Sequence, residues 1–479
     1  MNFYFDAAQV LDRIDAKHGS IKGIIGSLPG KDRKRTAALV IETLKYKAVL
    51  LEVIEAANLL KQERQKITSA NLALLLVHDF LLARGIQAGD GPIKQAILRH
   101  KTRLHAEFTK MKIRRGVTSN IELAQDGDPR ARLIPRYVRV NRNVWTMEEA
   151  VEYFVSVGFE QSGDPIESRK SFSIDEHIPD LLLFHPTVQF HEDESYKTGK
   201  IILQDKASCF SAAVLAPPAK DNCVVIDATA APGNKTSHLS ALMHNRGKIY
   251  AFERDRRRFR TLQHMTTTAR CTNVEPLNAD FLLAESTDPK YERVTHILLD
   301  PSCSGSGIVN RLDHLQDYDE NEDGQEERLN KLAAFQLSMI LHAMTFPSVT
   351  NIVYSTCSVH AAENEEVVSL ALSSDEASGK FILARREDVL PSWPRRGLKE
   401  KMLEPTDAES VIRCTPGEDH TNGFFVSSFI KVSSTPLKIA INSTSDIQSD
   451  SFYMKKRQRE VMDRHGGDAR IRRPRKRKK

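Results

Sequence analysis

Two cysteines in this chain stand in settings that suit covalent chemistry. Asp300 closes the apolar run "THILLD", and Cys303 follows three residues later in "DPSCSGSG"; Cys357 follows the β-rich run "NIVYST" in "STCS". Each thiol precedes a serine and each comes just after a predicted strand. Both should therefore sit on one rim of a sheet, with the Asp300 carboxylate nearby. A thiolate becomes a nucleophile once a base or a positive field lowers its pKa, and covalent addition splits one hard step into easier ones. Cysteines 209, 223, 271 and 414 read as small buried apolar residues. No two cysteines have CxxC spacing, so the six suggest neither a zinc site, nor a redox pair, nor a disulfide framework.

The elements that must carry these residues alternate. From residue 221 the β-rich runs "CVVIDA", "KIYAFE", "THILLD" and "NIVYST", with a weaker "NVEPLN", are separated by "SHLSALMHN", "RRFRTLQHMTTTA", "RLNKLAAFQLSMILHAM" and "AAENEEVVSLAL", which read as helices. That rhythm predicts an α/β fold with a parallel, doubly wound sheet, to which "NGFFVSSFIKV" adds an edge strand. Ligands of such sheets bind at the carboxyl ends of the strands. After the first strand, "DATAAPGNKT" offers small residues and Gly233, which let backbone approach a ligand before a helix begins. After the second comes Glu253, 26 residues beyond Asp227 and suited to accept two ribose hydroxyls; after the third comes Asp280, placed to touch an adenine edge. Three acids after three consecutive strands predict a nucleoside cofactor. The missing GxGxxG pattern speaks against a dinucleotide, and "GSLPGKD" is no P-loop because Asp32 stands where Ser or Thr is needed.

The rest of the chain divides around this sheet. Residues 1–125 are predicted to be a helical basic domain, 130–205 a small α+β unit, 206–432 the α/β domain and 435–479 a disordered basic tail. "ELAQDGDPRARLIP" reads as a linker, and the acidic "LDHLQDYDENEDGQEER" as a loop after the fourth strand. The net charge of +6 is unevenly spread: residues 1–145 carry about +12, residues 455–479 about +10 and the stretch between about −16. Residues 94–115 hold eight Lys or Arg and one acid, a basic face rather than a core. Two basic ends on an acidic body suggest a nucleic-acid partner. "LALLLVHDFLLA" is too short and too polar at His78 and Asp79 to span a membrane, no secretory signal is evident at the N-terminus, and an intracellular protein is expected.

Taken in order, "DATAAPGNKTSHL", "AFERDRRRF", "LLDPSCSGSG" and "YSTCS" resemble the motifs of the Sun-domain family of RNA cytosine-5 methyltransferases, over residues 130–432. "MNFYFDAAQVL", "PRYVRVNRN" and the intact "PSCSGSG" are most similar to the eukaryotic branch that modifies large-subunit ribosomal RNA. The resemblance implies a Rossmann-like class I methyltransferase domain, preceded by an α+β RNA-binding unit and an N-terminal helical domain. It implies S-adenosyl-L-methionine as cofactor, ribosomal RNA in the large-subunit pre-ribosome as partner and the nucleus and nucleolus as location. No metal and no membrane are implied, and no oligomer is indicated.

Residue by residue, the resemblance makes Cys357 the thiol that adds to carbon 6 of cytosine, Asp300 the carboxyl that shares a proton with ring nitrogen 3 and Cys303 an aid to product release. It carries cofactor binding to Ala230, Ala231, Pro232, Gly233, Asn234, Lys235, Thr236, Glu253, Arg258, Asp280 and Asp300, with Lys235 near the methionine carboxylate and Arg258 on the ribose side. In DNA cytosine methyltransferases the cysteine of the opening loop is itself the nucleophile, so Cys303 stands as the rival. The chain departs from the usual family spelling in that Pro301 and Ser302 separate acid from thiol, where the family has alanine then proline. Tyr137 and Arg139 in "RYVRVN" are candidates to stack on bases or grip the RNA backbone, while the alternating strand also has a purely structural use. A non-catalytic ribosome assembly factor would be marked by loss of Cys357 or of "APG", and both are present. A DNA methyltransferase would carry a target-recognition domain after its catalytic half, where only a Ser/Thr-rich, basic stretch is found.

Overall fold

A computed structural model describes residues 2–432 apart from 17, 20, 29–31, 126, 310–314 and 316–321. The expectations for the tail from 435 and for most of the acidic loop lie outside the described residues. The chain forms two compact units.

The first unit holds residues 1–135, together with 416–422 and the described residues of 308–323. It is helical. Ala70–Leu81 is buried along most of its length, and Ser69 caps it by accepting a hydrogen bond from the Leu72 amide. His78 and Asp79, the polar residues of its buried stretch, are absorbed by the fold: the Tyr4 hydroxyl donates to Asp79 at 2.5 Å, and His78 Nδ1 lies 3.0 Å from the other Asp79 oxygen. The long helical run at 37–60 is broken into Arg33–Lys45, Lys47–Ala56 and Leu59–Gln62, with Asn58 in the left-handed region (φ 55°) between the last two. Lys101–Arg115 buries Leu104, Phe108 and Met111 on one face and leaves its basic residues outside. No described helix is long and apolar enough to cross a membrane.

The second unit carries two sheets. The smaller one comprises β1 (Arg136–Val140), β2 (Glu160–Gln161), β3 (Ser171–Ile174), β4 (Leu181–Phe184) and β5 (Ile201–Leu203), in the order β2-β3-β4-β1-β5. One face packs Phe154 of helix Met147–Ser156 against Phe172, Phe184 and Phe190. That helix starts in a capping box, Thr146 with Glu149. Tyr137 and Arg139 are buried here, so the structural reading of this strand holds rather than the RNA-contacting one. Arg139 Nε donates to Gln204 Oε1 at 2.8 Å, and its Nη2 donates to Ser237 Oγ at 2.8 Å and to the Asn234 carbonyl at 3.2 Å. The strand's alternation thus serves to dock this sheet onto the larger domain. Gly199 (φ 72°) completes the junction, because a Cβ there would lie 2.3 Å from the Thr268 carbonyl oxygen.

The larger sheet comprises β6 (Val224–Asp227), β7 (Lys248–Phe252), β8 (Val274–Leu277), β9 (Val294–Leu299), β10 (Asn351–Thr356), β11 (Phe381–Leu383), β12 (Ile412–Cys414) and β13 (Phe424–Lys431). Its order is β11-β13-β10-β9-β6-β7-β8, with β12 also paired to β13. Strands β6 to β10 are parallel, as the alternation predicted. β13 is not an edge strand: it runs antiparallel between β10 and β11 and is buried along Phe424–Phe429. The helix before β10 is also longer than expected, Glu322–Met344, so the end of the acidic segment is helical. The chain winds from β6 outward to β8, then returns to β9 and β10, so the switch point lies between β6 and β9, the place where such sheets bind ligands.

Candidate active site

The strand ends on either side of the switch point bring most of the predicted residues into one row. β10 ends in Cys357, β9 in Asp300 and the loop with Cys303, β6 in Asp227 and the 228–236 loop, β7 in Glu253, and β8 leads to Asp280.

The two thiols face each other, Cys303 Sγ lying 3.0 Å from Cys357 Sγ, and none of the six cysteines is in a disulfide. The turn that folds Cys303 back needs its glycines. Gly305 has φ 70°, and a Cβ on Gly307 would lie 2.4 Å from the Gly423 carbonyl oxygen. The Gly307 amide donates to the Cys357 carbonyl at 2.9 Å, tying the two loops together. The hydrogen bond with Cys357, then burial, then the negative charge of Cys357, Glu363 and Asp300 hold the Cys303 thiol well above its ordinary pKa. Burial alone would push the Lys235 ammonium down, but the Asp300 carboxylate, a hydrogen bond to it and the Cys357 sulfur outweigh burial, so its pKa is raised.

Asp300 is fixed by both oxygens. Ser355 Oγ donates to Oδ1 at 2.9 Å, Lys235 Nζ lies 2.9 Å from Oδ2, and the Asp300 amide donates to Thr229 Oγ1 at 3.1 Å. Lys235 also donates to Ser208 Oγ at 2.9 Å, so the residue expected at a methionine carboxylate is engaged with Asp300.

The 228–236 loop is tied down at both ends. The Ala230 amide donates to the Phe252 carbonyl at 2.9 Å, and Thr236 Oγ1 donates to Asp227 Oδ2 at 2.7 Å. Burial pushes the Asp227 carboxyl up to about 6 against that hydrogen bond. Gly233 has φ 115°, and a Cβ there would come within 2.9 Å of Met265 Cγ, so glycine is required on two counts. Ala231 and Pro232 precede it, and the helix Asn234–Leu242 starts directly after; the buried Asn234 Oδ1 has no protein partner. Glu253 is buried and accepts from the Asp255 amide at 2.8 Å. Arg258 Nη1 lies 3.4 Å from its carboxylate, while Nη2 donates to the Ala231 carbonyl at 2.6 Å. The fixed offset between Glu253 and Arg258 therefore joins the ends of β6 and β7. Asp280 accepts from the Leu282 amide at 3.1 Å and keeps its other oxygen turned toward Arg254, 3.5 Å away. No group of three or more His, Cys, Asp or Glu among the described residues is arranged to hold a metal ion.

Sequence reasoning missed Ser355, which donates to Asp300, and Gln336, Glu363 and Asn364, which hydrogen-bond to Ser302, Ser304, and Thr356 and Ser358 beside the two thiols. Ser355 stands in "STCS" one residue from the expected motif thiol's neighbour, and its alternation within β10 was a usable signal. Glu363 and Asn364 lie in "AAENEE", which reads as the polar face of a helix; only tertiary contacts reveal them.

Comparison with known proteins gives a consistent picture. Residues 212–430 match the family described as 16S rRNA methyltransferase RsmB/F. Residues 34–124 and 134–204 match the N-terminal and ferredoxin-like domains of NOL1/NOP2/Sun domain family member 5. The chain is 44% identical to a 25S rRNA (cytosine-C(5))-methyltransferase of Schizosaccharomyces pombe, over 89% of this chain and 90% of that protein. It is 39% identical to a 28S rRNA (cytosine-C(5))-methyltransferase of Mus musculus, over 96% of this chain and 97% of that protein. A crystal structure of the protein PH0851 superposes with a TM-score of 0.59 at 20% identity, covering 89% of this chain and 97% of that one, a likeness of fold.

Proposed function

The chain belongs to the Sun-domain family of rRNA (cytosine-C(5))-methyltransferases, and we propose that it methylates carbon 5 of one cytosine in large-subunit ribosomal RNA through a covalent cysteine adduct. The observation that carries this reading is the pair of thiols 3.0 Å apart at neighbouring strand ends, beside a carboxylate held by Ser355 and Lys235. An assembly factor without chemistry would have no use for that arrangement.

The cofactor is S-adenosyl-L-methionine, and the donor set fits it. Carboxylates follow three consecutive strands, a side chain is excluded at Gly233, and Asn234 Oδ1 is a buried acceptor with no protein partner. Ala230 to Thr236 would cradle it, with Glu253 and Arg258 on the ribose and Asp280 toward the adenine. When bound, it supplies the electrophilic methyl group that activated carbon 5 takes up.

The chain's own residues do the rest. The target base must be single-stranded or flipped before a side chain can reach its ring carbons. The Cys357 thiolate adds to carbon 6, forming a carbon–sulfur bond and turning the far side of the ring into an enamine. Negative charge grows at nitrogen 3 in that step, and the Asp300 carboxyl, oriented by Ser355 and Lys235, shares a proton with that nitrogen. After carbon 5 has been methylated, loss of its proton to a base re-forms the ring double bond, and the carbon–sulfur bond breaks. The departing Cys357 sulfur meets the protonated Cys303, whose S–H stabilises it as it leaves.

An rRNA substrate places the protein in the nucleus and nucleolus, with the large-subunit pre-ribosome as its partner. Bisulfite sequencing of large-subunit rRNA from cells with and without the protein tests the reading. One cytosine should lose its protection in the deletion and regain it with the wild-type chain but not with Cys357→Ala; identical maps would overturn the assignment.

A further inference from the structure

We infer that Glu363 and Asn364 are positioning residues that set the two thiols against each other, Glu363 fixing the loop of the releasing thiol and Asn364 that of the attacking thiol. The inference rests on the roles proposed above for Cys303 and Cys357. Glu363 is completely buried. One of its oxygens accepts from the Ser304 amide at 2.8 Å and from Gln336 Nε2 at 2.9 Å, and the other accepts from Ser304 Oγ at 2.5 Å. The same Gln336 Nε2 donates to the Ser302 carbonyl at 3.1 Å. The backbone is therefore held on both sides of Cys303, at Ser302 and at Ser304, by one carboxylate and the amide bound to it.

Asn364 does the same for Cys357. The Thr356 hydroxyl donates to Asn364 Oδ1 at 2.6 Å, and Asn364 Nδ2 donates to the Ser358 carbonyl at 3.0 Å. Consecutive residues, with Gln336 as the intermediary at Ser302, thus hold both neighbours of both thiols. They are themselves anchored to the sheet, since the Tyr354 hydroxyl donates to the Glu363 carbonyl at 2.5 Å. A buried carboxylate bound by neutral donors is a costly way to close an ordinary turn. Sulfur positions matter here because a small displacement of reacting groups costs rate steeply.

The kinetic consequence separates two adjacent residues. The probe is unmodified large-subunit rRNA from cells lacking the protein, with adduct formation and decay followed on denaturing gels. Glu363→Ala should form adduct within about threefold of the wild-type rate but release it about tenfold more slowly, and Glu363→Gln, which keeps the shape and an acceptor, should restore release. Asn364→Ala should slow adduct formation about tenfold while decay stays unchanged. If Glu363→Ala fails to fold, Ser304→Ala and Gln336→Ala, which remove single partners, should slow release in the same direction. Cys303→Ala is run alongside. If it accumulates no adduct, the thiol roles themselves are wrong. If it accumulates adduct while the Glu363, Ser304 and Gln336 variants release at the wild-type rate, or while Glu363→Ala and Asn364→Ala lose both steps alike, the positioning inference is overturned.

Discussion

Lys235 Nζ lies 2.9 Å from Asp300 Oδ2, and both side chains are largely withdrawn from solvent. The 228–236 loop, proposed to cradle the cofactor, and the Asp300 carboxylate, proposed to recognise the base, are thereby joined by one ion pair across the switch point of the sheet. Lys235→Met and Asp300→Asn should each depress methyl transfer, and the double variant should be less impaired than the two effects added. A coupling energy of about 1–3 kcal/mol in kcat/KM, from a double-mutant cycle, is expected for groups in direct contact. Strict additivity would mean that the two residues act independently.

The thiol pair yields a prediction about reactivity. The bond with Cys357 is the largest cause of the raised Cys303 pKa, ahead of burial and neighbouring negative charge. Cys303 should therefore stay protonated through neutral and mildly alkaline pH and react with iodoacetamide only as pH rises beyond the ordinary thiol range. In Cys357→Ala that cause is gone, so Cys303 alkylation should begin at lower pH. Peptide mapping across a pH series checks this; the same profile in both proteins would refute it. In the parallel RNA experiment Cys357→Ala should give no adduct and Cys303→Ala should accumulate one.

The row of strand-end residues was legible in the sequence because each acid or thiol follows a short apolar β-run, and parallel sheets gather such ends on one side. What was hidden depended on distant pairing. β13 reads as a trailing strand, yet it enters the sheet between β10 and β11 because Phe425 and Phe429 find a place in the core. Arg139 looks like the exposed residue of an alternating strand until Gln204, Ser237 and the Asn234 carbonyl supply its partners. Glu363 and Asn364 look like helix surface, and their contacts to the two cysteine loops appear only in the folded chain.

Asp227 offers a test of pH-dependent stability. Burial raises its folded-state pKa to about 6, so the ionised form is the disfavoured one inside the fold. A raised carboxyl destabilises the native state fully above the folded pKa, and the penalty fades as pH falls toward the unfolded value near 4. Asp227→Asn keeps an acceptor for the Thr236 hydroxyl. It should stabilise the protein by about 1–3 kcal/mol at pH 7.5, and the difference from wild type should shrink toward pH 4. Paired urea titrations at the two pH values decide; a gain that grows on acidification would contradict the assignment.

The cofactor cradle predicts graded losses. Glu253→Ala and Asp280→Ala should each weaken S-adenosyl-L-methionine binding by about 1–3 kcal/mol, the range for hydrogen bonds to charged groups. Arg258→Ala should weaken it less, because its bonds run to Glu253 and the Ala231 carbonyl and act through them. Titration calorimetry on the purified chain measures all three, and wild-type affinity for both acid variants would sink the pocket as drawn.

The basic ends should separate RNA grip from address. On the helix Lys101–Arg115, Arg114 and Arg115 both pair with the single carboxylate of Glu52, at 2.7 Å each, and Lys110 pairs with Glu107 at 2.9 Å. These exposed pairs are weak and screened by salt, so phosphates can displace the carboxylates. Two guanidiniums sharing one Glu also leave a net positive charge at fixed positions on a folded helix. Each phosphate contact releases counterions and contributes about 0.7–0.9 to the slope of log affinity against log salt. Reversing Lys110, Lys112, Arg114 and Arg115 should therefore weaken RNA binding and flatten that slope, with catalysis on saturating RNA little changed. The run in residues 455–479, with "KKRQRE" and "RIRRPRKRKK", has the composition of an import or RNA-contacting signal. Deleting it should mainly reduce nucleolar accumulation of a tagged chain. Filter-binding at several salt concentrations and microscopy of the truncation test the halves separately. An unchanged salt slope would leave the helical face as solvated surface, and an unchanged nucleolar signal would remove the targeting role from the tail.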